Sequence, residues 1–542
     1  MFQPAYNNYQ CNIADKSCKL TKSDVPLSIY LIERNKGAGI DGLYTTTTSF
    51  DPGKSSIDLE GFSKRLINFV QKTEYHAIQA TNPGGYYTGL WCRDSSYILK
   101  DWFQSGRIQS VLNQILIIWS HQIDWVNGDR IVFGRGSPDV NFKPTIADKE
   151  VKNRFKGSLP TSIYHGRKLC EVFGKNPDID STALMISSTS WILSRLLGKD
   201  DDNDASYVST TGTTTHTPYV KQFEKILDFT IPRMHTAIDY LANSDIDGDG
   251  LLEQDHNEDW MDSIMRTGKI VYSQACWILA LTNFSILLQL LNKGKESVQK
   301  MLELADATIT AVEDKLWSEE DGAYIDVQET HHIGGPFRTL TQDVSLYLVA
   351  LTENTRMDSF SIYNYSSYYY HSNKKNLLRP EMIKRLESKE EGEDEYGKSN
   401  YDRLVSTLTA IRKRAWKQKW PLVTEVELVV TGPWHLKPYE YHNHTFWPWA
   451  TGIEMLARSR FGQLKECDIL LSTLASEGHP YAHCFYEWIN PVNDKSGGAY
   501  PFRTGISAVR IAISDILGKI DMKYDFSRDT ISSRKGRTTE DS

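Results

Sequence analysis

Apolar residues recur three and four positions apart over Leu59 to Lys72, Ser96 to Gly106, Ser181 to Leu197, Val220 to Asn243, Ser273 to Asn292 and Ser297 to Leu316. That period puts them on one face of an α-helix, and each segment is read as one. Two further apolar helices are predicted over Trp449 to Phe461 and Gly505 to Leu517. Alternation with a period of two is short and isolated, at Lys269 to Tyr272 and Val423 to Val430, and does not add up to a sheet. The helices arrive in pairs. Between them fall Gly84-Gly85-Tyr86-Tyr87, the capping stretch Asp178-Ile179-Asp180-Ser181, Gly334-Gly335-Pro336, Asn443-His444 and Gly497-Gly498. The predicted fold class is all-α, with concentric helical hairpins whose loops gather at one end.

Three regions break this pattern. Residues 1–54, rich in Asn, Thr, Gly and Lys, read as an extended N-terminal arm. The stretch around 355–400 runs from the tyrosine-rich Tyr363 to Tyr370 into an acidic run from Lys389 to Glu395, and reads as a surface insertion. Residues 526–542 are polar and charged and read as a disordered tail. Residues 55–525 are left as one helical domain.

Composition narrows the partners. A chain of 542 residues with 40% hydrophobic and 24% charged positions buries a large core and is neither disordered nor fibrous. The net charge of -8 disfavours nucleic acid. No stretch approaches the roughly 20 apolar residues of a membrane span. Val111 to Trp125, the longest candidate, is interrupted by Asn113, Gln114, His121, Gln122 and Asp124. The first residues lack the basic start and apolar run of a secretory signal, so a cytoplasmic location without membrane contact is expected. Seven scattered cysteines read as reduced thiols. Cys11 and Cys18 are spaced too widely for a zinc knuckle and lack a second pair.

Two acidic clusters set in tryptophan carry the candidate chemistry: Glu258-Asp259-Trp260-Met261-Asp262 and Tyr486-Glu487-Trp488. Paired carboxyl groups between aromatic walls suit cleavage of a glycosidic bond. Taken alone, the first is also compatible with a solvated acidic turn, and Glu487 with a structural carboxylate. In Tyr86-Tyr87-Thr88-Gly89-Leu90-Trp91-Cys92-Arg93-Asp94-Ser95, Arg93 and Asp94 offer a fork of donors and a charged acceptor to sugar hydroxyls. Trp91 suits stacking on a pyranose. The same Arg-Asp pair also suits a helix cap. Asp245 to Glu253 mimics the start of a calcium loop, but the twelfth position, where such loops carry a bidentate Glu, is His256. A metal-free Asp/Gly turn is the plainer reading.

Residues 91–100, from Trp91 to Lys100, resemble the Trp-x-Arg-Asp-Ser stretch of glucoamylases and the corresponding stretch of the glucosidase domain of glycogen debranching enzymes. Both belong to the clan of (α/α)6-barrel glycosidases. The cluster ending at Asp262 resembles the Thr-Trp-Met-Asp motif of the debranching glucosidase domain, whose last Asp is the general acid. Glucoamylases carry Glu directly after the Trp, where this chain has Met261, and Asp259 stands as a rival acid. Glu487 and the stretch up to Arg503 resemble the region where these families place the catalytic base. Glu440 to Trp449 resembles the Tyr-His-x-Gly-x-x-Trp-Pro-Trp loop of debranching glucosidases and neutral invertases, with His444 where Gly is common.

The resemblance spans about residues 80–520 and implies a single (α/α)6 toroid, without the N-terminal β-sandwich of many relatives. It implies an inverting, exo-acting glycoside hydrolase for α-glucosidic bonds, with Asp262 as acid, Glu487 as base and no cofactor. Sugar is expected to meet Tyr86, Trp91, Arg93, Asp94, Asp259, Trp260, His442, Trp447, Trp449 and Arg503. His442 and His444 lack a third ligand, and no metal is assigned. Trehalase-, invertase- or glucosylglycerate-hydrolase-like activity is the alternative within the clan. From a different class, a silent carbohydrate-binding protein fits the same residues. Phosphorolysis has only Arg503 to support it.

Overall fold

The computed structural model describes residues 57–124, 126–134, 143–197, 218–264, 266–326, 339–353, 400–428, 436–475 and 485–523. The expected arm at 1–54, the expected tail at 526–542, Gly334-Gly335-Pro336 and nearly all of the 355–400 insertion lie outside them.

The main helices are α1 (Leu59–Ala77), α2 (Cys92–Gln104), α3 (Ile108–Ser120), α4 (Ile179–Leu197), α5 (Pro218–Ala242), α6 (Val271–Leu290), α7 (Lys295–Lys315), α8 (345–353), α9 (Asn400–Ala410), α10 (Pro448–Arg460), α11 (Leu464–Leu474) and α12 (Arg503–Lys523). The even-numbered helices pack in succession. α2 lies against α4, α4 against α6, α10 against α12, and α12 back against α2. The turn Gln342–Val344 that leads into α8 bridges α6 and α10. Odd-numbered neighbours lie against this set, α7 on α6, α11 on α10, α1 on α12 and α3 on α2.

Burial follows from that order. α6 is buried at nearly every position because both its faces meet other helices, and its sequence is apolar all round. It is also long and apolar enough to cross a membrane, contrary to the expectation that no segment is. Here 94% of its most apolar window is packed inside the protein. α1 and α7 instead alternate buried and exposed residues, as helices with one covered face do. The described cysteines Cys92, Cys170, Cys276 and Cys467 are buried free thiols.

The expectation of no sheet is corrected. β1 (Leu90–Trp91), β2 (Arg130–Phe133), β3 (Thr145–Ile146), β4 (Ser162–Tyr164) and β5 (Leu169–Val172) form one sheet in the order β1-β4-β5-β2-β3. All pairings are antiparallel except that of β2 with β5. Strands of two to four residues are too short to display alternation, and long-range pairing supplies their register. The sheet matters because β1 runs straight into α2. Phe173, just past β5, packs edge-on against Trp91 at 4.8 Å between ring centroids.

Candidate functional site

Glu487 lies immediately before the hairpin formed by the pairing of Trp488–Ile489 with Ser496–Gly497, and its amide donates to the Ala499 carbonyl at 3.0 Å. Its carboxylate is buried and accepts hydrogen bonds from the Tyr87 hydroxyl at 2.8 Å, the Ala499 amide at 2.8 Å and the Tyr86 hydroxyl at 3.3 Å. Two glycines make this approach possible. Gly498, at φ 76°, passes so near that a Cβ there would lie 2.2 Å from Glu487 Oε2. Gly85, at φ 58°, turns against Ala499 and brings both tyrosines over the carboxylate. Burial pushes the Glu487 carboxyl up to about 7, against the hydrogen bonds from Ala499, Tyr87 and Tyr86.

Asp262 sits in the loop closed by pairing Glu253–Gln254 with Gly268–Lys269. Burial pushes it up to about 7, with Arg93 opposing the rise and the charge of Glu487 adding to it. The two carboxyls are therefore within electrostatic reach although one lies before α6 and the other just before α12. Asp262 Oδ1 is buried without a hydrogen-bond partner. His442 Nδ1 stands 3.6 Å from it and bonds the Ser263 hydroxyl at 2.8 Å. Burial and then Arg93 and Arg266 hold His442 well below the usual imidazole range, so it is neutral. Its Nε2 is likewise buried without a partner. Tyr441 borders both carboxyls. Burial and the charges of Asp262 and Glu487 push its phenol well above the usual value, which keeps it a proton donor.

The loop before Asp262 is held from behind by one guanidinium. Arg266, fully buried, meets Asp259 at 3.1 Å, Asp326 at 2.9 Å and Asp343 at 2.7 Å. Asp343 also accepts from Trp260 Nε1 at 2.7 Å, and Asp259 from the Met261 amide at 2.8 Å and Gln254 at 2.9 Å. Asp259 and Trp260, read as sugar-facing, are both buried, and Asp259, read also as a rival acid, has its oxygens on Arg266, Gln254 and the Met261 backbone.

Arg93 and Asp94 form the first turn of α2, and both are buried. Arg93 Nη1 pairs with Asp180 at 3.0 Å and approaches Asp178 at 3.8 Å. Tyr272 donates to Asp180 at 3.1 Å. Asp180, expected as part of a cap, is instead the partner of Arg93, while Ser181 does bond Asp178 at 2.9 Å. Asp94 accepts from the Thr504 hydroxyl at 2.5 Å, which docks α12 on α2. Trp91 is at the edge of burial, edge-on to Tyr87.

Several aromatic residues expected to wall a sugar site are buried. His442 is stacked on Trp447 with ring centroids 4.6 Å apart, and both are buried. Trp447 Nε1 donates to the Tyr441 carbonyl at 3.0 Å. Trp449 is buried between Trp260, Tyr97 and Tyr272. Arg503 reaches outward to Asn82 at 2.5 Å and Gln79 at 3.3 Å, steadying the loop that carries Tyr86. That commitment lends no support to a phosphate pocket built on Arg503. Tyr86 itself is 59% exposed, the most open of the expected contacts.

His442 and His444 do not converge. His444 Nδ1 bonds the Thr424 carbonyl at 2.6 Å, and its backbone is left-handed at φ 59°, the conformation glycine adopts most easily. Among the described residues, metal-type ligands gather at His121, Asp129 and Cys170 and at Asp245, Asp247 and Glu253. In the first group Asp129 already holds His121 Nδ1 at 2.7 Å.

The sequence reading missed Tyr441, Asp180 and Arg266, and the specific hold of Tyr87 on Glu487. Arg266 lies four residues beyond Asp262, in a mixed stretch that also carries Ser263, Thr267 and Lys269, so no local signal singled it out. The others are brought in by segments far apart in the chain.

Neither a family model nor a curated protein matches the chain. Among solved structures, a GH63 mannosylglycerate hydrolase from Thermus thermophilus in complex with glucose aligns at 13% identity over 83% of this chain and 99% of its own, with a TM-score of 0.46. An uncharacterized conserved protein from the same organism aligns at 12% identity over 83% and 99%, with a TM-score of 0.46. A wild-type glycosidase aligns at 12% identity over 85% and 99%, with a TM-score of 0.47.

Proposed function

We propose that the chain is a glycoside hydrolase built on an (α/α)6 toroid, which removes terminal sugar units across α-glucosidic bonds with inversion. The succession of even-numbered helices, with odd-numbered helices against α2, α4, α6, α10 and α12, supports the toroid. One observation carries the chemistry: two carboxyls, the partly buried Asp262 and the buried Glu487, both pushed up to about 7, with the Glu487 charge contributing to the rise at Asp262, and with the buried Arg93 and Asp94 also within electrostatic reach of the pair.

In this reading the protonated Asp262 gives its proton to the glycosidic oxygen as the bond from that oxygen to the anomeric carbon breaks. A water attacks the anomeric carbon from the opposite face and passes its proton to Glu487. Inversion requires room for that water, about 6.5–9.5 Å between the carboxyls. Tyr87, Tyr86 and the Ala499 amide hold Glu487 in place. Neutral His442 backs Asp262. Arg93, Asp94 and Trp91 bind the terminal sugar, and Asp180 fixes Arg93. Tyr441, whose phenol feels the charges of both carboxyls and is held protonated, suits a sugar hydroxyl or the attacking water.

The test is sugar release from maltose, isomaltose, maltooligosaccharides, trehalose, sucrose and glucosylglycerate, with the anomer of the freed glucose followed by NMR. Initial release of β-glucose from an α-linked member supports the reading. Initial release of α-glucose overturns inversion. Absence of release from all members, with sugar binding intact, overturns the hydrolase in favour of a silent carbohydrate binder.

A further inference from the structure

Arg93 and Asp94, Asp180, Tyr272 and Trp449 all lie in the first turns of α2, α4, α6 and α10. A second cluster of charge gathers toward the other ends of these helices. Lys100 stands about two turns beyond Arg93 on α2, Arg195 is in the last turn of α4, Glu353 ends α8, and Arg460 ends α10. In the helix succession α4 and α10 are separated by α6 and α8 on one side and by α2 and α12 on the other, so the cluster lies across the middle of the set.

Its cations outnumber its anions. Arg460 bonds Glu353, and donates as well to the Val349 carbonyl at 2.8 Å and the Thr352 hydroxyl at 3.2 Å. Its Nε, in a side chain only 7% exposed, is buried without a hydrogen-bond partner, with Asp515 of α12 standing 3.8 Å away. The Arg195 guanidinium sits 3.5 Å from the centroid of the Trp191 ring, and the Lys100 ammonium shares that ring at 5.6 Å. Among the described residues Lys100 makes no hydrogen bond or ion pair. Burial pulls its ammonium down to about 8, with Glu353 opposing the fall and Arg195 and Arg460 adding to it. Against burial, Arg460, Lys100 and Arg195 hold the Glu353 carboxyl down to about 2, so that it is charged.

Helix C-termini carry partial negative charge, which suits Arg195 and Arg460 in the last turns of their helices. Lys100 sits before the last turn of α2, where that effect fades. Three cations against the carboxylates of Glu353 and Asp515 leave one positive charge over, in surroundings where a charge is retained only with a partner.

We propose that Lys100, Arg195 and Arg460 form a site for one small monovalent inorganic anion, of which chloride is the probe, at the ends of the helices away from the carboxyl pair. The anion supplies an acceptor to the Lys100 ammonium, which has three donors to place, and it ties α2 and α4 to α10. One charge is what the cluster lacks, so a monovalent ion fits it better than phosphate. Nothing in this site depends on the proposed hydrolysis.

The experiment uses the full chain and its K100M variant in chloride-free buffer, titrated with sodium chloride, sodium phosphate or sodium gluconate at matched ionic strength, and read by thermal unfolding and by the chloride NMR line width. Chloride is expected to raise the Tm of the unaltered protein saturably, by roughly 2–4 °C over gluconate, and to show a broadened resonance. K100M is expected to show neither. Chloride affinity of the unaltered protein is expected to fall about tenfold per pH unit above about pH 8, as Lys100 loses its proton. A Tm and line width indifferent to chloride in the unaltered protein overturn the site, as does a folded K100M that responds equally. Saturable phosphate binding that chloride does not displace overturns the monovalent class. If K100M does not fold, the pH series decides: the tenfold fall supports Lys100 as the ligand, and a flat affinity across pH 7 to pH 9.5 overturns it.

Discussion

Tyr87 donates a 2.8 Å hydrogen bond to Glu487 Oε1, joining residues 400 positions apart. This bond favours the charged carboxylate and opposes the rise that burial imposes. Y87F therefore raises the Glu487 value further, and the acid limb of the pH–rate profile moves to higher pH. A hydrogen bond to a charged group is worth about 1.5–3 kcal/mol, so kcat is expected to fall roughly 10- to 100-fold. A limb that stays in place while kcat falls would mean that Tyr87 acts on something other than Glu487.

The two carboxyls are expected to be needed together. D262N and E487Q each reduce turnover by about 10²–10⁴-fold while sugar affinity, read by calorimetry, persists. Unchanged turnover in either variant removes that residue from the mechanism.

The pH dependence follows from the same pair. In the proposed mechanism Asp262 acts protonated and Glu487 acts ionised, and both are pushed to about 7. The rate is expected to peak near pH 7 and to fall on either side as the pair gains its second proton or loses its first. Because the Glu487 charge is one cause of the raised Asp262 value, E487Q is expected to lower it. Carboxyl-selective NMR or infrared titration of E487Q measures that shift, and an unmoved Asp262 contradicts the coupling.

Arg266 predicts a large structural effect. R266M leaves Asp259, Asp326 and Asp343 buried without their shared cation, and breaking such a set costs about 3–5 kcal/mol. Urea unfolding reads the loss. D343N, which keeps an oxygen for Trp260, is expected to cost less, and equal losses from both would show that the guanidinium is not the keystone.

Glu258 makes stability depend on pH independently of catalysis. Burial pushes it up to about 8, against hydrogen bonds from the Asp255 amide and Asn176. Its folded value lies above the ordinary 4.5, so its stabilising contribution is complete below about pH 4.5 and is lost as pH rises through about 8. Tm is expected to fall between pH 6 and pH 8.5, and E258Q to fall less over the same range. Parallel curves for the two proteins would contradict the assignment.

How far the sequence was legible depended on how local each cause was. α4, α5 and α6 announced themselves because their period is internal to the segment. α3 reads only as the interrupted apolar run Val111 to Trp125, because its polar residues Gln109, Asn113 and Ser120 occupy its exposed positions. The five-stranded sheet was invisible because each strand is defined by its partner. At the site, Asp262 and Glu487 carried recognisable neighbours, but direction did not. Trp260, Trp447 and Trp449 read equally well as sugar walls or as core, and only their packing against one another and His442 places them inside. Nothing in the sequence around Arg503 marks Asn82 as its partner either.

The docking of α12 on α2, through Thr504 and Asp94, gives the molecule an order in time. During synthesis, Tyr86, Arg93 and Asp262 leave the ribosome long before Glu487 exists, and α2 waits for most of the chain's production with its α12 face uncovered. The carboxyl pair is completed only when the segment carrying Glu487, just ahead of α12, is made. A nascent chain stalled before residue 487 is thus an incomplete helical domain with an exposed apolar flank, a client for chaperones, and it lacks one member of the carboxyl pair.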